Sequence, residues 1–276
     1  LRELGFDARI IIPCHKVIKE KYADRMSHIT DFIMDLGWRR QYTGVMALQG
    51  RTDGVQVYFV DNLYYFGGRS GAIYGDSDDS ERYAYFSKAC LDALVCLDFI
   101  PDVIQCNDWQ TAPVPIYLAA QYYPFFPGTK CMFTIHNIEY QGKYDFSILG
   151  DVFALSDYDR AVVEYGDCIN LMKGAIECAE AVSTVSPRYA DEIMSPEYSH
   201  GLYHILRANA GKVSGILNGI DYSYYNPWTD PVLVKHYTAK RRGGKDACRS
   251  ALRADLNLAD DKGTPVISLI TRLASH

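Results

Sequence analysis

No apolar run in this chain approaches the roughly eighteen residues that a membrane-spanning helix needs, so nothing in the sequence calls for a bilayer. A basic surplus is missing too. Lys and Arg number 28 against 34 Asp and Glu, a net charge of −6. A general nucleic-acid binder needs a basic face, so the partners expected here are neutral or already counter-charged. The eight cysteines include no C-x-x-C pair, which removes zinc ribbons and thioredoxin-type redox sites. Cys90, Cys96, Cys131, Cys168 and Cys178 lie among apolar neighbours and are expected to be reduced core residues, as in a cytoplasmic protein. There is no N-x-S/T sequon, and these residues are not expected to include a signal peptide. Gly67-Gly68 lacks the spacing of a dinucleotide or phosphate-binding loop. The chain opens on Leu1 rather than methionine, and both ends read as cut through elements. It is therefore expected to be a fragment of a longer protein.

What is present is an alternation of short apolar strands with helical stretches, the pattern of βαβ units and a parallel sheet. Strands are predicted at residues 8–13, 45–48, 55–60, 102–106, 132–135, 181–185, 213–217 and 265–270. A turn at Thr52-Asp53-Gly54 makes the second and third of these a hairpin. Helices are predicted at about 81–97, 112–122, 157–181 and 235–256, the last interrupted at Gly243-Gly244. Residues 16–40 read as polar and irregular, and 63–75, rich in tyrosine and glycine, as a surface loop. Ser186 is a candidate N-cap with Pro187 at the first helical position. Turn formers at 226–231 place a domain boundary there, dividing the chain into 1–227 and 228–276.

Met132-Phe133-Thr134-Ile135 reads as a buried strand, and His136-Asn137 stand where it ends. Asp108-Trp109 and Asn218-Gly219-Ile220-Asp221 end two other strands. Ligands of open α/β sheets bind beyond the carboxyl ends of the strands. An imidazole, a carboxylate and a carboxamide at one sheet edge are groups that surround the hydroxyls of a sugar. The alternative is that each polar residue only closes its strand. Other signals are weaker. Asp76-Ser77-Asp78 matches a D-x-D metal pattern, but acidic residues at a helix start complement the macrodipole. His200 and His204 have no third ligand and read as a solvated helix face. The 22 tyrosines suit sugar stacking, yet tyrosine is equally a core residue.

Six stretches, in order along the chain, resemble bacterial glycogen synthases and plant starch synthases. They are Asn107-Asp108-Trp109-Gln110-Thr111, Phe133-Thr134-Ile135-His136-Asn137-Ile138-Glu139-Tyr140-Gln141-Gly142, Ile169-Asn170-Leu171-Met172-Lys173-Gly174-Ala175, the segment 183–193, Gly215-Ile216-Leu217-Asn218-Gly219-Ile220-Asp221, and Tyr225-Asn226-Pro227. The resemblance implies an α/β GT-B glycosyltransferase with two Rossmann-like domains. Here the N-terminal, acceptor-side domain would lack its first strand and Gly-rich loop, and only the start of the C-terminal, donor-side domain would follow. It implies transfer of glucose from ADP-glucose to the non-reducing end of an α-1,4-glucan, glycogen or starch, with retention of configuration. No metal and no cofactor are required. The location implied is cytoplasmic, or plastidic for a plant source. By position, His136 would meet the transferred glucose and Arg272 the donor diphosphate, with a guanidinium pairing to the charge of the leaving group. Tyr74, Asp108, Asn137 and Asn218 would shape the sugar and acceptor site. The parent is expected to catalyse and the 276-residue chain itself to be inactive. Two other readings stay open: a different GT-B transferase, such as a sucrose or trehalose-phosphate synthase, and a non-catalytic glucan-binding module that uses the loop 63–75.

Overall fold

The computed structural model describes residues 1–69, 73–259, 261 and 263–271. The chain divides into two compact units, Leu1–Leu217 and Asn218–His276. The first unit begins with β1 (Arg9–Pro13), β2 (Met26–Leu36), β3 (Arg39–Leu48) and β4 (Gln56–Asp61), arranged as β1-β4-β3-β2. The isoleucines of β1 pair in parallel with β4, while β3 pairs antiparallel with both β4 and β2. The expected hairpin is the β3–β4 pair. Residues 16–40 are not irregular: they hold the helix Lys16–Tyr22 and β2, an eleven-residue strand. β2 is an edge strand with one buried face. Phe32, Met34 and Leu36 turn inward while Asp31, Ile33 and Asp35 face out, so half its residues carry no apolar signal. A bulge between His28 and Thr30 further breaks the period.

Downstream lie β5 (Val103–Asn107), β6 (Lys130–Ile135), the short β7 (Lys143–Tyr144), β8 (Glu164–Tyr165) and β9 (Cys168–Asn170), then β10 (Ala181–Thr184) and β11 (Val213–Gly215). An all-parallel sheet runs β11-β10-β6-β5, and β7-β9-β8 form a small antiparallel one. The parallel strands are joined through helices, including Pro113–Tyr117, Leu171–Cys178 and Pro187–Ile193. This is the Rossmann-like α/β arrangement expected. Among the described residues the two four-stranded sheets share no strand pair, and β1 and β5 are each a sheet edge. The Arg9 guanidinium, 3.7 Å from the centre of the Phe99 ring, links the start of β1 to the approach to β5.

The long helix Asp79–Cys96 is buried along most of its length, with Tyr83, Ala84, Tyr85, Phe86, Ala89, Cys90 and Leu91 in the main core. The expected tyrosine-rich surface loop is partly core. Asn62 Oδ1 accepts the Tyr65 N–H at 2.8 Å and starts the turn Leu63–Gly67, which buries Tyr65 and Phe66. Residues 157–181 are not one helix: after Arg160–Val163, Gly166 at φ 61° turns β8 into β9 before Leu171–Cys178 begins. Ser186 caps its helix as expected, accepting the Tyr189 N–H at 2.9 Å. All eight cysteines are free, and Cys96, expected in the core, is exposed at the end of the long helix. No helix among the described residues is long and apolar enough to cross a membrane.

In the second unit Gly243-Gly244 do not interrupt a helix; they begin the one at Gly243–Asp255. Arg253, buried, donates to the carbonyls of Ala259 and Thr264 and ties the following segment back to that helix. The predicted strand 265–270 takes no partner among the described residues, and Ile267, Leu269 and Ile270 are exposed. An apolar run becomes a strand only where a neighbour supplies the ladder.

Candidate active site

β5 and β6 are neighbours in register, Asn107 opposite Thr134, so Asp108 and His136 leave the sheet side by side. Asp108 departs with φ 56°, a left-handed conformation that few side chains other than Asn and Asp adopt readily. Instead of an open exit loop, the residues after β5 form the short helix Asp108–Thr111. The Asp108 carboxylate accepts the His136 backbone N–H at 2.8 Å, and His136 Nε2 lies 3.0 Å from Asn107 Oδ1. Backbone and ring of the exposed histidine are thus held by consecutive residues of the neighbouring strand end. Asn107 was not among the residues expected at the site. Its signal was available, since it directly precedes Asp108 where β5 meets the end of β6.

The loop after His136 is tied down from beneath. Ile138 N–H donates to Tyr189 Oη at 3.2 Å. The buried Gln141 amide donates to the carbonyls of Ile138 and His200, both at 3.0 Å, and accepts from Asn170 Nδ2 at 2.7 Å. Asn170 in turn caps the helix Leu171–Cys178. Asn137 uses its side-chain oxygen locally, accepting the Glu139 N–H at 3.0 Å, and so shapes the turn.

Gly142 has φ 66°, and a Cβ there would sit 3.0 Å from Trp109 Cε3 and 3.1 Å from Leu171 Cδ1. Left-handed strain and overpacking add, so Gly142→Ala is expected to cost about 2–4 kcal/mol. Urea unfolding of the 276-residue chain measures it, and an unchanged midpoint would show that the loop yields freely.

Tyr74 is exposed, and its neighbours anchor the segment to the long helix. The Ile73 carbonyl accepts from Tyr83 Oη at 2.8 Å and Arg82 Nη2 at 3.2 Å, and Gly75 N–H donates to Asp79. Tyr83 meets Trp109 edge-on at 5.4 Å between ring centres. Packing therefore runs from the Tyr74 segment to Asp108 and His136. The acidic residues at the helix start are engaged by arginines. Arg82 pairs with Asp79 at 2.7 Å and Asp76 at 3.0 Å, and Arg69 pairs with Asp78 and holds its carboxyl below the usual range. Asn218, exposed, opens the second unit. Arg272 lies outside the described residues.

Comparison with known proteins identifies the family. The sequence profile of the starch synthase catalytic domain matches residues 1–208. A glycogen synthase of Streptococcus agalactiae serotype Ia is 41% identical over 280 residues, covering 100% of this chain and 58% of that protein. One from Geobacillus thermodenitrificans is 40% identical over 280 residues, covering 100% and 57%. The chain thus spans somewhat over half the length of these relatives. Among solved structures, the catalytic domain of starch synthase IV from Arabidopsis thaliana, bound to ADP and acarbose, matches with a TM-score of 0.80 and 32% identity. That match covers 95% of this chain and 54% of the other.

Proposed function

The chain belongs to the starch synthase catalytic-domain family, and from that premise we propose that the protein containing it transfers glucose from ADP-glucose to the non-reducing end of an α-1,4-glucan with retention of configuration. The observation that carries the reading is the Asn107–Asp108–His136 constellation at neighbouring strand ends. As the glycosidic bond to the donor phosphate breaks, positive charge develops at the sugar ring and negative charge on the leaving diphosphate. His136 faces the first of these. With Asn107 Oδ1 accepting from Nε2, the Nδ1 lone pair is left to accept a hydroxyl of the transferred glucose. Asp108 fixes the position of that imidazole through the backbone. Arg272, by its position in the family's pattern, is the residue assigned to the second charge, since a guanidinium can pair with phosphate oxygens. By their positions in the family's motifs, Tyr74, Asn137 and Asn218 are assigned to sugar and acceptor recognition.

The reaction proposed uses no metal ion and no organic cofactor. The carboxylates of Asp76, Asp78 and Asp79, close enough together to suggest a cation, are already matched by Arg69 and Arg82. ADP-glucose is favoured as donor by the likeness to an Arabidopsis starch synthase bound to ADP and acarbose. A cytoplasmic setting suits a soluble polymer acceptor.

The test is to supply the full-length protein with glycogen and, in parallel, ADP-glucose, UDP-glucose or sucrose. Elongation from ADP-glucose, with new linkages digestible by an α-1,4-specific glucosidase, is the expected result. Preference for UDP-glucose would overturn the donor assignment. Glycogen binding without transfer from any donor would favour a non-catalytic glucan-binding module.

A further inference from the structure

The two residues that hold His136 are themselves held by a third. Among the described residues β5 is a sheet edge, so alternate residues turn their backbone N–H and C=O away from β6. Asn107 is one of these. Its N–H donates to Thr111 Oγ1 at 2.5 Å, and its C=O accepts the Thr111 hydroxyl proton at 2.8 Å. A hydroxyl has one proton to give and lone pairs to receive with, and Thr111 uses both kinds on the same residue. The Asp108 carbonyl lies farther from it, at 3.4 Å.

This clamp closes over Asp108, the residue at φ 56°. An aspartate does not stay in that conformation by preference, so the turn needs a brace. What depends on the brace is the histidine. Asp108 takes its backbone N–H and Asn107 Oδ1 meets its Nε2, and the ring has no other hydrogen-bond partner among the described residues. His136 is exposed, so packing does little to fix the ring. Both of its holds therefore start from a turn that the Thr111 hydroxyl closes.

We infer that Thr111 is a positioning residue for glucosyl transfer: through Asn107 and Asp108 its hydroxyl sets the direction in which the His136 ring faces and keeps the ring proton on Nε2. The inference rests on the role proposed above for His136 at the sugar. A ring held at Nε2 presents Nδ1 in one direction. A ring released from it turns among its rotamers and carries its proton on either nitrogen. Only the held ring gives a hydroxyl of the transferred glucose a fixed acceptor while charge develops beside it. The effect falls on turnover rather than on donor binding, because gripping the diphosphate is assigned to a different residue, Arg272. A hydroxyl that merely closed the short helix Asp108–Thr111 would change stability and leave the ring alone.

The experiment combines initial rates of the full-length protein on ADP-glucose and glycogen with ring-nitrogen NMR spectra of samples labelled at histidine. His136→Ala identifies the signals of that ring. Thr111→Val keeps the shape and removes the hydroxyl. It is expected to lower kcat about tenfold and to leave KM for ADP-glucose within about twofold. Thr111→Ser, which keeps the hydroxyl, should restore kcat to near the wild-type value. Asn107→Ala, at an exposed position, should lose as much as Thr111→Val, and the double variant no more than either, since the two residues act as one unit. The wild-type ring should show a bare Nδ1 and a protonated Nε2, and the two signals should draw together in both single variants. Wild-type kcat in Thr111→Val, losses that add in the double variant, or ring signals unchanged by Thr111→Val each overturn the inference. So does a loss that Thr111→Ser shares, which would make shape rather than the hydroxyl responsible. If Thr111→Val does not fold, Thr111→Ala takes its place in the same comparison. Ring signals that respond as expected in a protein that transfers no glucose would sustain the clamp on His136 and overturn the function proposed above.

Discussion

Replacing His136 with alanine in the full-length protein is expected to lower glucosyl transfer by about two to three orders of magnitude and to leave the unfolding transition where it was. The two halves of that expectation come from different atoms. The bond to the Asp108 carboxylate uses the backbone N–H of residue 136, which alanine keeps. The ring itself meets Asn107 at an exposed position, so its loss removes little packing. What disappears is the group that would face the sugar during bond breaking. Initial rates with ADP-glucose and glycogen, beside a urea melt of the same preparation, check both halves. A variant retaining more than about a tenth of the activity would place the responsible group elsewhere.

The largest effect on stability is expected at Arg82. This side chain is 1% exposed, pairs with Asp79 and Asp76, and donates to the carbonyls of Tyr65 and Ile73. Arg82→Met leaves the buried Asp79 carboxylate without its counter-charge, and breaking a buried pair from one side costs about 3–5 kcal/mol. Against a typical total of about 5–15 kcal/mol, that is a large share of the stability. Removing both charges together, as Asp79→Asn with Arg82→Met, should cost less than the single change, because no orphan ion remains. Equilibrium urea unfolding of wild type and both variants decides it. A single-variant cost below about 1 kcal/mol would mean that water reaches Asp79 and replaces the arginine.

The strand-end residues were legible because β5 and β6 are short apolar runs that stop abruptly, and a parallel sheet brings such stops together. That placed Asp108 and His136 correctly as neighbours. Asn107 escaped because the pattern ends the strand at Cys106 and leaves residue 107 to the exit loop, whereas the ladder continues through it, opposite Thr134, and brings it to the imidazole. β2 escaped for the opposite reason. Asp31 and Asp35 gave it the polarity of a loop, and one buried face leaves only half the residues to announce a strand. Arg82 gave no warning either: in the sequence it is one more charge near a helix start, and its burial comes from the Ile73 and Tyr65 carbonyls folding over it. Gly243-Gly244 and the run 265–270 depended on neighbours that local pattern does not contain.

The bulge and the two outward aspartates of β2 also bear on how the molecule behaves in a crowd. An eleven-residue strand at a sheet border offers a row of unpaired backbone groups that another chain could zip onto. The kink between His28 and Thr30 spoils the straight template. Asp31 and Asp35, two residues either side of the exposed Ile33, hold hydrated polar pairs there, with His28 at 3.1 Å and Arg40 at 3.0 Å, which a second strand docking on this edge would have to strip of water. The irregularity that hid this strand from its sequence pattern thus also guards it against stacking into fibrils.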